Sequence, residues 1–142
     1  RAGENWHSDM CYVARPPRGT ILYAIETPEL YRLPLGDTEF ASAAAAWDAL
    51  PDSMRNPIEG RRAVFDFTGR KRAFPPTPEE IERNPPVRHP IVRTHPKTGR
   101  KCLYVMRDDC TGIEGIAAEE ADALICALAD HIVKPQFIYR HQ

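Results

Sequence analysis

The chain has 142 residues, 42% hydrophobic and 27% charged, with a formal net charge of -1; this is the balance of one ordinary globular domain with a modest core. Near-neutral charge with scattered basic residues leaves no footprint for nucleic acid, and the densest cluster, Arg70-Lys71-Arg72, reads as a solvated loop. No apolar run approaches the roughly 18 residues that suggest a membrane span, so a membrane is not an expected partner either.

Taken in chain order, Arg1-Ala2-Gly3-Glu4 shows no Met and no leader pattern and lies almost on top of a motif, so further residues are expected upstream. Residues 5–14 read as an extended segment through Trp6, Met10, Tyr12 and Val13. After a turn at Pro16, Pro17 and Gly19, residues 20–26 predict a buried strand. Residues 40–50, rich in Ala and ending before Pro51, predict a helix. A short helical turn from Asp52 to Ile58 with Gly60 as its stop follows, then a strand over 61–67. Residues 68–86 are polar and Pro-rich, with one helical turn expected around Glu79–Glu82. Strands are expected at 87–94 and 101–106, joined by a turn through Pro96, Lys97, Thr98 and Gly99. Ala121, Leu124, Ile125, Leu128 and Ile132 follow the spacing of an amphipathic helix over 118–133. Lys134-Pro135 ends it, and Gln136 to Arg140 begins a last strand. Strands joined by hairpin-like, loop-rich connections, with helices outside, point to a β-barrel or sandwich instead of a βαβ alternation.

The four cysteines, Cys11, Cys102, Cys110 and Cys126, form no C-x-x-C pair and no zinc spacing. They read as buried thiols, which fits a reducing, cytoplasmic setting. His89 and His95, each before a proline, read as structural, and His131 reads as solvated on a charged helix face.

The informative stretch is Asn5-Trp6-His7-Ser8-Asp9. In an extended segment side chains alternate, so His7 and Asp9 share a face. An imidazole beside a carboxylate is two thirds of the 2-His-1-carboxylate triad that holds Fe(II) and leaves positions open for substrate and oxygen. The same pair also arises as an ordinary surface contact, and by itself it leaves both readings open.

The neighbouring motifs narrow the choice. Trp6-His7-Ser8-Asp9, Pro17-Arg18-Gly19-Thr20-Ile21-Leu22-Tyr23-Ala24 and Gly36-Asp37-Thr38-Glu39-Phe40-Ala41 stand in order. They are followed by Asn84-Pro85-Pro86, by His89-Pro90-Ile91-Val92-Arg93-Thr94-His95-Pro96, by Gly99-Arg100-Lys101-Cys102-Leu103-Tyr104-Val105, and by Lys134-Pro135-Gln136-Phe137. In this the chain resembles the taurine dioxygenase family of Fe(II)/2-oxoglutarate-dependent dioxygenases along almost its whole length. The resemblance implies a mainly β double-stranded β-helix (jelly-roll) with flanking helices. His7 and Asp9 would then be iron ligands and catalytic, Thr38 and Phe40 would bind the 2-oxoglutarate cosubstrate, and Tyr104 and Phe67 would face substrate. It implies O2 as co-reactant, release of succinate and CO2, oxidation of a small, possibly anionic molecule, and a possible homo-oligomer. Thr38 is also a candidate N-cap for the Ala-rich helix, and Phe40 and Tyr104 are also candidate core aromatics.

The family's third iron-binding His and its cosubstrate-binding Arg follow motifs that do not occur here, and His141 is not their equivalent. Residues 1–142 are therefore expected to be one partial catalytic domain, incomplete at both ends. The connection Pro28–Leu35 is longer than the family's and residues 68–86 are shorter, so a gap near 68–74 is a further expectation. The Asn of sulfonate-acting members would fall at Gly3, which argues against taurine as substrate. Asp9 itself favours hydroxylation or a related oxidation over halogenation, which uses a small residue there. A non-catalytic jelly-roll that binds a small molecule or protein, and a metal-dependent hydrolase or isomerase on a related barrel, are the competing readings.

Overall fold

The computed structural model describes residues 5–31, 33–69 and 74–141. Arg1–Glu4 (with Gly3), the Arg70-Lys71-Arg72 cluster and most of the expected gap near 68–74 lie outside the described residues.

Small antiparallel sheets carry the architecture. β1 (Glu29–Leu30) and β2 (Leu33–Pro34) form a minimal hairpin. β3 (Thr38–Ala41) pairs with the last strand, β9 (Ile138–His141), and an Arg140–Asp37 ion pair at 3.0 Å ties the two together. β4 (Arg62–Phe65) is the centre of a three-stranded sheet between β5 (Val87–Pro90) and β8 (Cys110–Ile113). β6 (Val92–Thr94) pairs with β7 (Lys101–Leu103). The expected strand over 87–94 is thus two strands in two sheets. The switch is at Ile91, fully buried, whose N–H donates to the Arg61 carbonyl and whose own carbonyl accepts from Tyr104 N–H. β8 went unpredicted: Cys110-Thr-Gly-Ile is short and carries a Gly, and its partner β4 is far away in sequence.

The helices are α1 (Ala43–Asp48), α2 (Asp52–Arg55), α3 (Pro78–Arg83) and α4 (Ala118–Ile132). The Ala-rich helix starts later than expected because Ser42 is its N-cap, its Oγ accepting from Ala45 N–H at 3.2 Å. Thr38 is therefore not the cap. At the other end of α1, the Arg55 guanidinium donates to the Trp47 and Leu50 carbonyls and lies 4.7 Å over the Trp47 ring, satisfying carbonyls that a helix end leaves open. α2 and a 3-10 turn over Asn56–Ile58 follow, stopped at Gly60 with φ of 73°, as expected. α3 carries a reciprocal capping box between Thr77 and Glu80.

The core lies where α4 packs on β8 of the β4 sheet and α1 packs on β7. α4 buries Ala121, Ile125, Leu128 and Ile132 and leaves Leu124 at the margin, close to the periodic stripe. His131 corrects the sequence reading. It is buried, 5% exposed, with Nε2 donating to the Ala46 carbonyl at 2.9 Å; the close approach of α1 turns that side of α4 inward. None of the four cysteines is disulfide-bonded. Cys11 and Cys110 are buried, whereas Cys102 and Cys126 are only half-buried. Burial pushes the Cys110 thiol up to about 12, the state of an inert thiol.

Two extended segments also depart from expectation. Residues 20–26 form no strand: Ile21 is 95% and Ile25 93% exposed, because no neighbouring strand among the described residues offers them a ladder. Residues 5–14 form no strand: 6–8 carry no regular element, and 9–14 are turn and bend, with Met10 at φ 50°.

His89 is structural, as expected. Its ring is 7% exposed, and Nε2 lies 3.1 Å from the Val13 carbonyl. Burial lowers its pKa below the ordinary 6.5, the Val13 hydrogen bond opposes this, and the Arg93 cation adds to the lowering. The unfolded chain takes up this proton more readily than the folded one, so its contribution to stability is full above about 6.5 and is lost as pH falls below it. Urea midpoints measured at about pH 7 and about pH 5 are expected to drop toward acid, and the His89→Gln protein, which keeps a donor for Val13, to show a smaller drop.

Candidate functional site

The segment that precedes Cys11 positions the two proposed ligands by hydrogen bonds, without a strand. His7 Nδ1 lies 2.7 Å from the main-chain carbonyl of Asn5. A carbonyl only accepts, so Nδ1 is the donor there and Nε2 is the nitrogen left to act as a ligand. Asp9 Oδ2 accepts from the Thr20 hydroxyl at 2.6 Å, which leaves Oδ1 turned toward His7. Nε2 and Oδ1 end 3.4 Å apart. A metal with bonds of about 2.1 Å at right angles holds two ligand atoms about 3.0 Å apart, so the pair needs only a small adjustment to share an ion. Anchoring the far nitrogen on a carbonyl is the second-sphere arrangement of metal-binding histidines. The donor set therefore fits a divalent metal with one imidazole and one carboxylate. Among the described residues no third His, Cys, Asp or Glu completes a metal-binding group, and His141 stands opposite Thr38 in the β3–β9 ladder.

His7 opens onto a cavity of about 500 Å³, within the range of small-molecule sites. Its walls come from residues 5–8, from 39–41 and 43, from 102–108, and from 129, 130, 132 and 133. Phe40 projects into it and is 52% exposed, so it is not a core aromatic. Tyr104 is both wall and packing residue: its ring touches Phe65 and His89, and the Arg93 guanidinium lies 4.5 Å over its face. Burial raises the Tyr104 pKa above its ordinary 10, with Ser8 acting the other way. Its hydroxyl is buried beside Ser8 without a hydrogen bond of normal geometry.

The structure brings His7, Phe40 and Tyr104 to one cavity, with Asp9 on the flank of His7. Thr38 lies at the start of β3, two residues from Phe40 and on the same strand face. Phe67 does not line the cavity; it is 6% exposed and packs edge-to-face on Tyr12 at 4.8 Å. The residues the sequence reading missed are Thr20 and Asn5, which orient the ligand atoms. Thr20 was in view as part of a strand candidate and of the Pro17–Ala24 motif, and nothing local marks its hydroxyl as a partner for Asp9.

The profile of the family described as taurine catabolism dioxygenase TauD, TfdA family matches residues 1–142. The chain is 35% identical over 144 residues to an alpha-ketoglutarate-dependent 2,4-dichlorophenoxyacetate dioxygenase of Cupriavidus pinatubonensis, covering 99% of this chain and 48% of that protein. It thus spans about half the length of that relative. Its fold is similar to the crystal structure of a taurine dioxygenase from Burkholderia xenovorans, with TM-score 0.70 and 29% identity, over 99% of this chain and 45% of the other. It is also similar to AAD-2 in complex with Mn(II) and N-oxalylglycine, with TM-score 0.67 and 33% identity, over 75% of this chain and 43% of that one.

Proposed function

This chain belongs to the taurine catabolism dioxygenase TauD, TfdA family, and from that premise we propose that it forms part of the catalytic domain of a non-heme Fe(II)- and 2-oxoglutarate-dependent dioxygenase. The reaction is oxidation, by hydroxylation, of a small anionic organic molecule, with release of succinate and CO2. The observation that carries the reading is the convergence of His7 Nε2 and Asp9 Oδ1, 3.4 Å apart, beside a cavity of small-molecule size. The metal and cosubstrate are supported by AAD-2, which holds Mn(II) and N-oxalylglycine, an analogue of 2-oxoglutarate. The substrate class is supported by relatives named for a small carboxylate, 2,4-dichlorophenoxyacetate, and for sulfate esters.

In this reading His7 and Asp9 hold the iron, and a third donor and a cosubstrate-binding Arg come from elsewhere in the protein. When bound, the iron supplies O2 activation coupled to oxidative decarboxylation of 2-oxoglutarate. The chain's own work is orientation and exclusion of water. Asn5 keeps the His7 proton on Nδ1, so that Nε2 stays a ligand. Thr38 donates its hydroxyl to a 2-oxoglutarate carboxylate, and Phe40 covers the cosubstrate. Tyr104 forms the substrate-facing wall, stiffened by Arg93, whereas Phe67 packs on Tyr12 outside that wall. The small antiparallel sheets belong to a jelly-roll in this reading, and unbridged cysteines with one inert buried thiol suit a cytoplasmic enzyme.

The test uses the intact protein with Fe(II), 2-oxoglutarate and a panel of small aryloxy-carboxylates and sulfate esters, with succinate read by NMR. Succinate formation that needs Fe(II), air and one of these substrates is expected. Undiminished activity in excess of a strong iron chelator would overturn the reading.

A further inference from the structure

We propose that Asp108, outside the ligand motif and about a hundred residues from it in sequence, is a positioning residue for His7 that acts through Asn5. The inference rests on the metal-site reading above and assigns no contact with metal or substrate to Asp108.

The chain of contacts is continuous. Asp108 Oδ2 accepts from Asn5 Nδ2 at 2.8 Å, and the main-chain carbonyl of Asn5 accepts from His7 Nδ1 at 2.7 Å. Asn5, His7 and Asp108 all border the same cavity. The segment that carries His7 has no ladder to fix it, since residues 5–8 belong to no helix or strand. A tether from a rigid part of the fold is what sets where the Asn5 carbonyl points, and with it the tautomer and ring plane of His7.

Asp108 is itself held firmly. It follows β7 and leads directly into β8, and its neighbour Asp109 is 1% exposed, with its carbonyl accepting from Asp66 N–H at 3.0 Å. The 66–69 turn packs against its backbone so closely that a Cβ on Gly69 would stand 3.0 Å from the Asp108 carbonyl oxygen and 3.1 Å from Thr111 Cγ2. Gly69 N–H donates to the Asp66 carbonyl, and the Asp66 carboxylate accepts from Thr68 N–H and Oγ1, which closes that turn on itself. The position of Asp108 is thus set by the β4–β8 sheet, and it transmits that position to the Asn5 end of the ligand segment, while Thr20 holds the Asp9 end.

The experiment compares the intact wild-type protein with Asp108→Ala, Asn5→Ala, the double variant and Asp108→Asn. Two readouts are used: Mn(II) affinity by electron paramagnetic resonance, and the His7 tautomer in the metal-free protein by long-range 15N–1H correlation. Each single alanine variant is expected to weaken Mn(II) binding about tenfold, the order seen when outer-sphere partners of metal ligands are lost. Each should also turn a pure Nδ1–H signal for His7 into a mixture. The double variant should lose no more than the larger single loss, because the two residues form one relay. Asp108→Asn, which keeps a carbonyl acceptor for Asn5, should restore both readouts. Asn5→Ala keeps the main-chain carbonyl and removes only its tether, at an exposed position where misfolding is not expected. Wild-type Mn(II) affinity and a pure tautomer in Asp108→Ala, losses that multiply in the double variant, or failure of Asp108→Asn to restore the site would each overturn the proposal while leaving the metal site intact. No Mn(II) binding by the wild-type protein would overturn the metal-site reading and this proposal with it.

Discussion

Asp9→Ala and His7→Ala are each expected to abolish succinate formation and to weaken Mn(II) binding by more than the about 10–100-fold that loss of an outer-sphere partner costs. The reason is the small number of donors: each substitution deletes one of the two ligand atoms that converge here, and no described residue stands ready to replace it. Neither change should disturb folding, because the side chains are 32% and 45% exposed and surface substitutions of this kind usually stay within about 0.5 kcal/mol. Thermal unfolding close to wild type, combined with a flat Mn(II) titration, is the expected pair of results. A Thr20→Val protein grades the effect: it keeps both ligands and loses only the hydroxyl on Asp9 Oδ2, so a weakening of about tenfold in Mn(II) affinity is expected. Unchanged Mn(II) affinity in Asp9→Ala would show that the carboxylate is not a ligand.

What could be read from the sequence follows the range of the interactions concerned. α4 was legible because its stripe, Ala121, Ile125, Leu128 and Ile132, recurs within one helix at the i, i+3, i+4 spacing and buries as spaced. The 52–58 turn with Gly60 was legible for the same local reason. Residues 20–26 mislead because β-compatible side chains say only that a strand would be tolerated; whether a partner strand lies alongside is a long-range fact. His131 misleads because its charged neighbours in sequence are not its neighbours in space, where Ala46 of α1 supplies its hydrogen-bond acceptor. At the site, His7 and Asp9 do meet on one side, as the spacing suggested, but in a segment that joins no sheet. With no ladder to fix them, Asn5 and Thr20 hold the outer atoms of the two side chains. The motif shows the donor types, whereas the hydrogen bonds that orient them come from outside it or from its main chain. Asp108 illustrates the limit: its role depends on a contact with Asn5 that no pattern in either stretch announces.

Phe65→Ala carries the largest expected cost in stability, about 3–5 kcal/mol in urea or thermal unfolding. Phe65 is fully buried on β4, the strand that both flanking strands pair with, and its ring packs 5.2 Å from His89 and 5.2 Å from Tyr104. Removing it leaves a cavity against two rings that cannot both close in, since His89 is tied to the Val13 carbonyl and Tyr104 lies under Arg93. Domains of ordinary stability have only about 5–15 kcal/mol in total, so this one change brings the protein near its threshold. Phe40→Ala is the informative contrast. Phe40 is 52% exposed on β3 and borders the cavity, so stability within about 0.5 kcal/mol of wild type is expected, together with weakened 2-oxoglutarate binding by calorimetry. Two phenylalanines in different sheets thus separate what holds the fold from what the fold presents. If Phe40→Ala destabilised the protein as much as Phe65→Ala and left 2-oxoglutarate binding unchanged, Phe40 would be a packing residue and the cosubstrate would have to lie elsewhere in the cavity.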